Sequence, residues 1–171
     1  MNIEFVLCYE QNDIKELCRF IKSNYTEFCA SSKVSLSASQ KKQIIGSKLT
    51  SFSSAIKVLA EVHLVPILLK LNAETVGAVV FEPKKGKIMF LGAKFGAHQE
   101  RVLALLMKKA INVNILGVNL EKYSINAVKG YDEIYNKIGF TKVAEEVTIN
   151  GISFVPMVYE VDQSGIENDN L

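Results

Sequence analysis

A chain of 171 residues with 49% hydrophobic and 22% charged content is long enough for one domain with a substantial core and short for two. Its formal charge of +2, without long basic blocks, gives no electrostatic reason to expect nucleic acid or a membrane surface as a partner. The cysteines, Cys8, Cys18 and Cys29, have neither CxxC spacing nor a histidine cluster beside them, so they read as buried reduced thiols and no metal site is expected.

The opening Met1 to Phe5 lacks the basic and long apolar parts of a secretory leader. The greasiest stretch, Val62 to Leu71, is interrupted by Pro66 and Lys70 and is too short to span a bilayer, so a cytoplasmic protein is expected. Ile3 to Tyr9 alternates weakly as a strand. Asp13 to Ile21 places Ile14, Leu17, Cys18 and Ile21 at helical spacing. Asn24 to Ser37 is polar and reads as irregular. Ser39 to Leu49 and Ser54 to Val62 then read as helices on either side of a serine-rich break.

Two strands follow around an Asn72-Ala73-Glu74 turn, then a Lys84-Lys85-Gly86 turn and a strand over Lys87 to Ala93, all joined closely enough to pair antiparallel. Val102 to Ile111 is so apolar that a helix there must lie against a sheet. Tyr123 to Val128 is a strand reached by crossover, which brings parallel character into the middle of the sheet. Around residue 135 the segment reads as a short helix. Asp132 and Glu133 favour its N-terminus, Lys137 its C-terminus, and Gly139 is placed for a positive-φ stop. Strands over Lys142 to Ile149 and Ile152 to Val161 flank an Asn150-Gly151 turn, a strong hairpin signal. Asp162 to Leu171 is a polar, acidic tail, predicted loose.

The run GYDEIYNKIGFTKV followed by EEVTINGISFVPMVYEV resembles the C-terminal third of the GCN5-related N-acetyltransferase (GNAT) superfamily, where a tyrosine-bearing helix, a Gly-Phe pair and two strands succeed one another. Upstream, VPILLKLNAETVGAVVFEP is similar to that family's second and third strands. KGKIMFLGAKFGAHQERVLALLMKKAINVN is similar to its fourth strand and central helix, so the likeness covers roughly residues 64 to 161. The resemblance implies an α/β (α+β) fold. Its mixed central sheet is mostly antiparallel with a splayed parallel central pair, flanked by helices, in a single domain over 1–161 with the tail at 162–171.

The resemblance also implies an acyltransferase that moves an acetyl or short acyl group from acetyl-coenzyme A to a primary amine on a small molecule or peptide. Transfer is direct, no metal takes part, and a homodimer is one of its expected states. In the family, backbone N–H groups where the fourth strand meets the central helix cradle the pyrophosphate, as helix N-termini do for anions. The usual signature there is Arg or Gln, two residues, Gly, one residue, then Gly or Ala. Here His98 stands at the first position, Arg101 at the first glycine and Leu103 at the second.

Lys94, His98 and Arg101 remain as cationic contacts to phosphate, with Gly96 as the loop residue, or else they are solvated surface groups. Gly92 and Ala93 match the strand segment whose freed amides bond the donor arm and polarise its thioester. Tyr135 takes the place of a tyrosine whose hydroxyl protonates the leaving thiolate; its alternative role is packing at the helix edge. Where the family has Asn seven residues before this tyrosine and Ala four before it, this chain has Val128 and Tyr131, and Asn126 is the nearby candidate for a contact to the arm. Glu61, His63 and Glu82 are the available groups for deprotonating the amine. Two alternatives stay open: the missing glycines suggest a binding or regulatory module of the same fold that has lost coenzyme A binding, and the local Lys and Arg residues suggest a nucleic-acid-modifying relative.

Overall fold

The computed structural model describes residues 1–31, 35–115 and 118–162; the predicted tail beyond residue 162 lies outside the described residues. Strands β1 (Ile3–Leu7), β2 (Val65–Leu71), β3 (Glu74–Glu82), β4 (Lys87–Ala93), β5 (Lys122–Val128), β6 (Phe140–Lys142), β7 (Val147–Ile149) and β8 (Ile152–Glu160) form one sheet in the order β1-β2-β3-β4-β5-β8-β6, with β7 also paired to β8. All pairings are antiparallel except β4 with β5. The predicted mixed sheet with one central parallel pair is therefore present. A helix has to carry the chain from one parallel strand to the next, and α4 (Gln99–Ile115) does so.

The alternation of strand side chains separates two cores. Ile67, Leu69, Val79, Phe81 and Leu91 face α4 and pack on Val102, Leu103, Leu106, Met107 and Ala110. Their even-numbered neighbours Leu68, Ala78, Val80 and Phe90 face the other side and pack on Leu17 and Ile21 of α1 (Gln11–Ser31). Because both faces of β2, β3 and β4 are covered, these strands read in sequence as nearly continuous apolar runs. No described helix is long and apolar enough to cross a membrane, and the greasy stretch around Pro66 is β2. All three cysteines are free and buried, and burial pushes the Cys8 thiol up to about 12.

Several expectations change. Helix α1 runs on through Asn24 to Ser31 because Asn24, Phe28 and Cys29 continue the buried stripe, while the Thr26 and Ser31 hydroxyls are satisfied within the helix by the carbonyls of Lys22 and Glu27. The strand predicted over Lys142 to Ile149 is two short strands, β6 and β7. Between them Glu145 and Glu146 lie in solvent, with Glu146 paired to Lys129 at 3.1 Å. Helix α4 begins three residues before Val102. Helix α2 (Ala38–Ile45), whose N-cap Ser37 and Gln40 form a capping box, lies where a helix was expected but ends at the Gly46 cap, short of Leu49, and α3 (Phe52–Glu61) begins two residues earlier than expected, inside the serine-rich break. The Asn150-Gly151 turn has positive φ at both residues (52° and 81°), which only a primed hairpin turn requires.

Candidate functional site

Strands β4 and β5 pair at Lys87 with Ser124 and at Ile88 with Ile125, and then part. Five residues at the C-terminal end of β4 therefore lack a β5 partner, and those groups must bond elsewhere. Leu91 and Ala93 point their carbonyls into the gap. Gly92, which pairs with Ala78, presents its backbone to β3 because the groups alternate along a strand.

Helix α5 (Asp132–Lys137) and the turn before it lay two phenols across this opening. Tyr135 donates its hydroxyl to the Leu91 carbonyl. Tyr131 donates to Asn24 Oδ1 at 2.8 Å, and Asn24 Nδ2 in turn donates to the Ala93 carbonyl at 2.9 Å. The two rings are stacked with centroids 5.8 Å apart, and Tyr131 stacks on Phe28 of α1 at 4.1 Å. Tyr131, Tyr135 and Asn24 are 6%, 5% and 3% exposed. Burial raises the hydroxyl pKa of both tyrosines, so each phenol stays protonated and able to donate at neutral pH. Tyr25, from α1, is raised by burial to about 12. The space left among Tyr25, Leu91, Asn126, Tyr131 and Tyr135 is about 30 Å³, roughly the share of one water molecule in the liquid.

Beside the gap, where α4 starts, lies an open groove of about 520 Å³ lined by Ala97, His98, Glu100, Arg101, Ala104, Lys137 and Ile138. His98 is exposed and caps α4 through its carbonyl, which accepts from Val102 N. Gly96 has φ +144°, and a Cβ there would meet nothing within 4 Å, so the loop before the helix is uncrowded. Lys137 reaches Glu100 at 3.5 Å across the groove, and Arg101 stands exposed beside them. The structure thus brings Tyr135, Ala93 and Asn126 together at the gap, and Gly96, His98 and Arg101 together at the adjoining groove; Gly92, expected to offer a freed amide, turns its N–H and carbonyl to β3 instead.

Lys94 is less free than its sequence position suggests, since its ammonium is paired with Glu74 on the surface. Leu103, at the second glycine position, is buried under α4 in the core. Glu61, His63 and Glu82 lie at the opposite end of the sheet. Glu82 is in register with Lys87, six residues along β4 from Ala93, roughly 20 Å at strand rise. Their remoteness removes them as amine bases. Sequence reasoning missed Asn24, Tyr25 and Leu91. Asn24 lay in a segment read as irregular, and a backbone carbonyl leaves no trace in a motif.

This geometry can be set beside known proteins. No curated protein matches the sequence significantly. Among solved structures, a GCN5-related N-acetyltransferase of Rhodopseudomonas palustris superposes with a TM-score of 0.71 at 15% identity, covering 94% of this chain and 97% of its own. The PaiA N-acetyltransferase of Thermoplasma acidophilum, in complex with coenzyme A, gives 0.70 at 12% identity, covering 94% and 100%. The aminoglycoside 6'-N-acetyltransferase of Enterococcus faecium gives 0.63 at 10%, covering 95% and 99%. At such identities the likeness is one of fold. The sequence profile of the acetyltransferase (GNAT) domain matches residues 59–161, more than half of the chain, from the last turn of α3 to the end of β8; this span holds the groove and every part of the gap except α1. The chain belongs to the GNAT acetyltransferase family.

Proposed function

We infer that the protein transfers an acetyl or short acyl group from acyl-coenzyme A directly to a primary amine of a small molecule or peptide. The observation that carries this reading is the parting of β4 from β5 after Ile88, which turns the Leu91 and Ala93 backbone toward a gap overlooked by a protonated phenol. Family membership supplies the reaction class, and the coenzyme A bound to the Thermoplasma protein supplies the donor class.

The groove suits the phosphate half of such a donor. It is open, it lies at the start of a 17-residue helix, and Arg101, Lys137 and His98 border it. The gap suits the thioester half once Tyr135 releases the Leu91 carbonyl and Tyr131 releases Asn24 Oδ1, since 30 Å³ does not hold an extended arm. The donor, when bound, supplies the activated acyl group; the chain holds the arm and moves one proton. Tyr135 serves as the acid: its O–H, now on the Leu91 carbonyl, turns to the departing sulfur, and the phenolate is reprotonated by the proton that the attacking nitrogen gives up as the amide forms. Among the described residues no carboxylate or imidazole lines the gap, and in this reading the amine arrives neutral or loses its proton to ordered water.

A second reading has its own support: with Arg101 and Leu103 in place of glycines and Tyr131 across the gap, the fold serves as a binding module without a donor. One experiment separates the two. Acetyl-coenzyme A at millimolar concentration is expected to raise the melting temperature through mass action on the native state. Thiol release is then followed with a panel of amines including spermidine, an aminoglycoside and a peptide N-terminus. Absence of any thermal shift favours the binding module, and a shift without thiol release on any amine leaves a donor-binding protein that does not transfer.

A further inference from the structure

Asn24 is the buried polar side chain nearest the gap, and it is 107 positions from the tyrosine it contacts. Both ends of its amide are engaged. Nδ2 holds the Ala93 carbonyl at 2.9 Å, and Oδ1 accepts from Tyr131 at 2.8 Å. The place is made for it by Gly92: a Cβ on that residue would lie 2.9 Å from Asn24 Oδ1 and 2.5 Å from the Phe90 ring. Tyr131 occupies a position where the family commonly has alanine, and its ring lies across the space that separates β4 from β5.

If the phenol left, Asn24 Oδ1 would be a buried acceptor without a partner, an expensive condition unless another donor takes over. The arm of an acyl-coenzyme A carries secondary amide N–H groups, which have the hydrogen-bonding character of the departing O–H. We propose that Asn24 is a donor-binding residue held ready by Tyr131: the phenol swings out, and an amide N–H of the acyl-coenzyme A arm replaces it on Asn24 Oδ1. Tyr131 is then the latch of the donor cleft, and α1, which supplies Asn24, is tied to donor binding. This rests on the acyl-coenzyme A reading above.

The test is calorimetric titration of coenzyme A and acetyl-coenzyme A into the wild type, Tyr131→Phe, Asn24→Val and Tyr123→Phe, with melting temperatures measured in parallel. Tyr131→Phe keeps the ring but removes the bond that closes the cleft. It is expected to melt lower and yet bind roughly two- to tenfold tighter, the range that corresponds to one ordinary hydrogen bond. Asn24→Val is expected to bind at least about tenfold more weakly. Tyr123→Phe loses a buried bond from Asn114 (2.8 Å) outside the cleft, so it should melt lower with affinity unchanged.

A structural role alone for Tyr131 would lower stability without raising affinity; that result, with the wild type binding, overturns the latch and leaves the donor assignment standing. Unchanged affinity in Asn24→Val overturns the role of its oxygen. A silent wild type with a binding Tyr131→Phe supports the latch. Failure of every variant to bind either molecule overturns the donor reading and this inference with it. Should Asn24→Val not fold, Tyr131→Phe decides alone.

Discussion

Gly77→Ala tests how tightly α4 is seated beside the site. Gly77 sits in β3 opposite Leu69 on one side and Ala93 on the other. A methyl built there would lie 2.6 Å from Val102 Cγ1, 2.8 Å from Leu106 Cδ1 and 3.2 Å from the Gly92 carbonyl oxygen. Two effects oppose each other. Removing a strand glycine gains about 0.5–1 kcal/mol through the entropy of the unfolded chain. Overpacking a filled core costs about 1–3 kcal/mol, and here the upper part of that range applies. Leu106 can rotate its terminal methyl, but Val102 is β-branched and stiff, and the carbonyl belongs to backbone.

The net expectation is a loss of about 1–2 kcal/mol, or about 2–8 °C in melting temperature for a chain of this size. Since Val102 is the first buried residue of α4, the displacement falls on the turn that borders the groove, and donor affinity is expected to fall as well. Urea and thermal unfolding give the stability. Adding Val102→Ala should cost less in the Gly77→Ala background than in the wild type, because it relieves the clash. A melting temperature equal to or above the wild type for Gly77→Ala would show that α4 is loosely seated and sink the argument.

Tyr135→Phe is expected to slow thiol release by about 10²-fold or more while donor affinity, measured by titration, stays near wild type; equal turnover would remove its role as the acid. Arg101→Ala should weaken coenzyme A binding and flatten its dependence on potassium chloride, since one phosphate contact is lost; an unchanged salt slope would return Arg101 to the surface. Glu16 is subject to opposing influences: burial raises its carboxyl pKa, but hydrogen bonds from Thr75 and Lys70 together outweigh that and hold it below the usual value. A depressed carboxylate contributes stability above its unfolded pKa, and that contribution is lost as pH falls through the folded one. The melting temperature should therefore fall below about pH 4.5, and Glu16→Gln should be less stable at pH 7 with a shallower acid limb; parallel curves would refute the linkage.

The sequence on its own determined the order of elements from β2 to α5 and the final hairpin turn, though not the division of the strand before that turn into β6 and β7. That information is local: apolar alternation, the Asn72-Ala73 and Asn150-Gly151 turns with positive φ at each residue, and a helix too greasy to stand away from a sheet are all written in neighbouring residues. The tyrosine helix and its glycine stop were legible for the same reason.

What filled the gap was decided by tertiary structure alone. Asn24 reads as a helix breaker in a polar stretch until Ala93 and Tyr131 are brought to it. Those partners are 69 and 107 residues away in the chain. Leu91 contributes only a carbonyl, which every residue has, and it becomes distinctive because β5 turns away from it. Glu61, His63 and Glu82 looked available in a linear reading, and strand register carried them to the far end of the sheet. Long-range hydrogen bonds and register place these groups, and neither has a period or a motif that a chain read residue by residue can display.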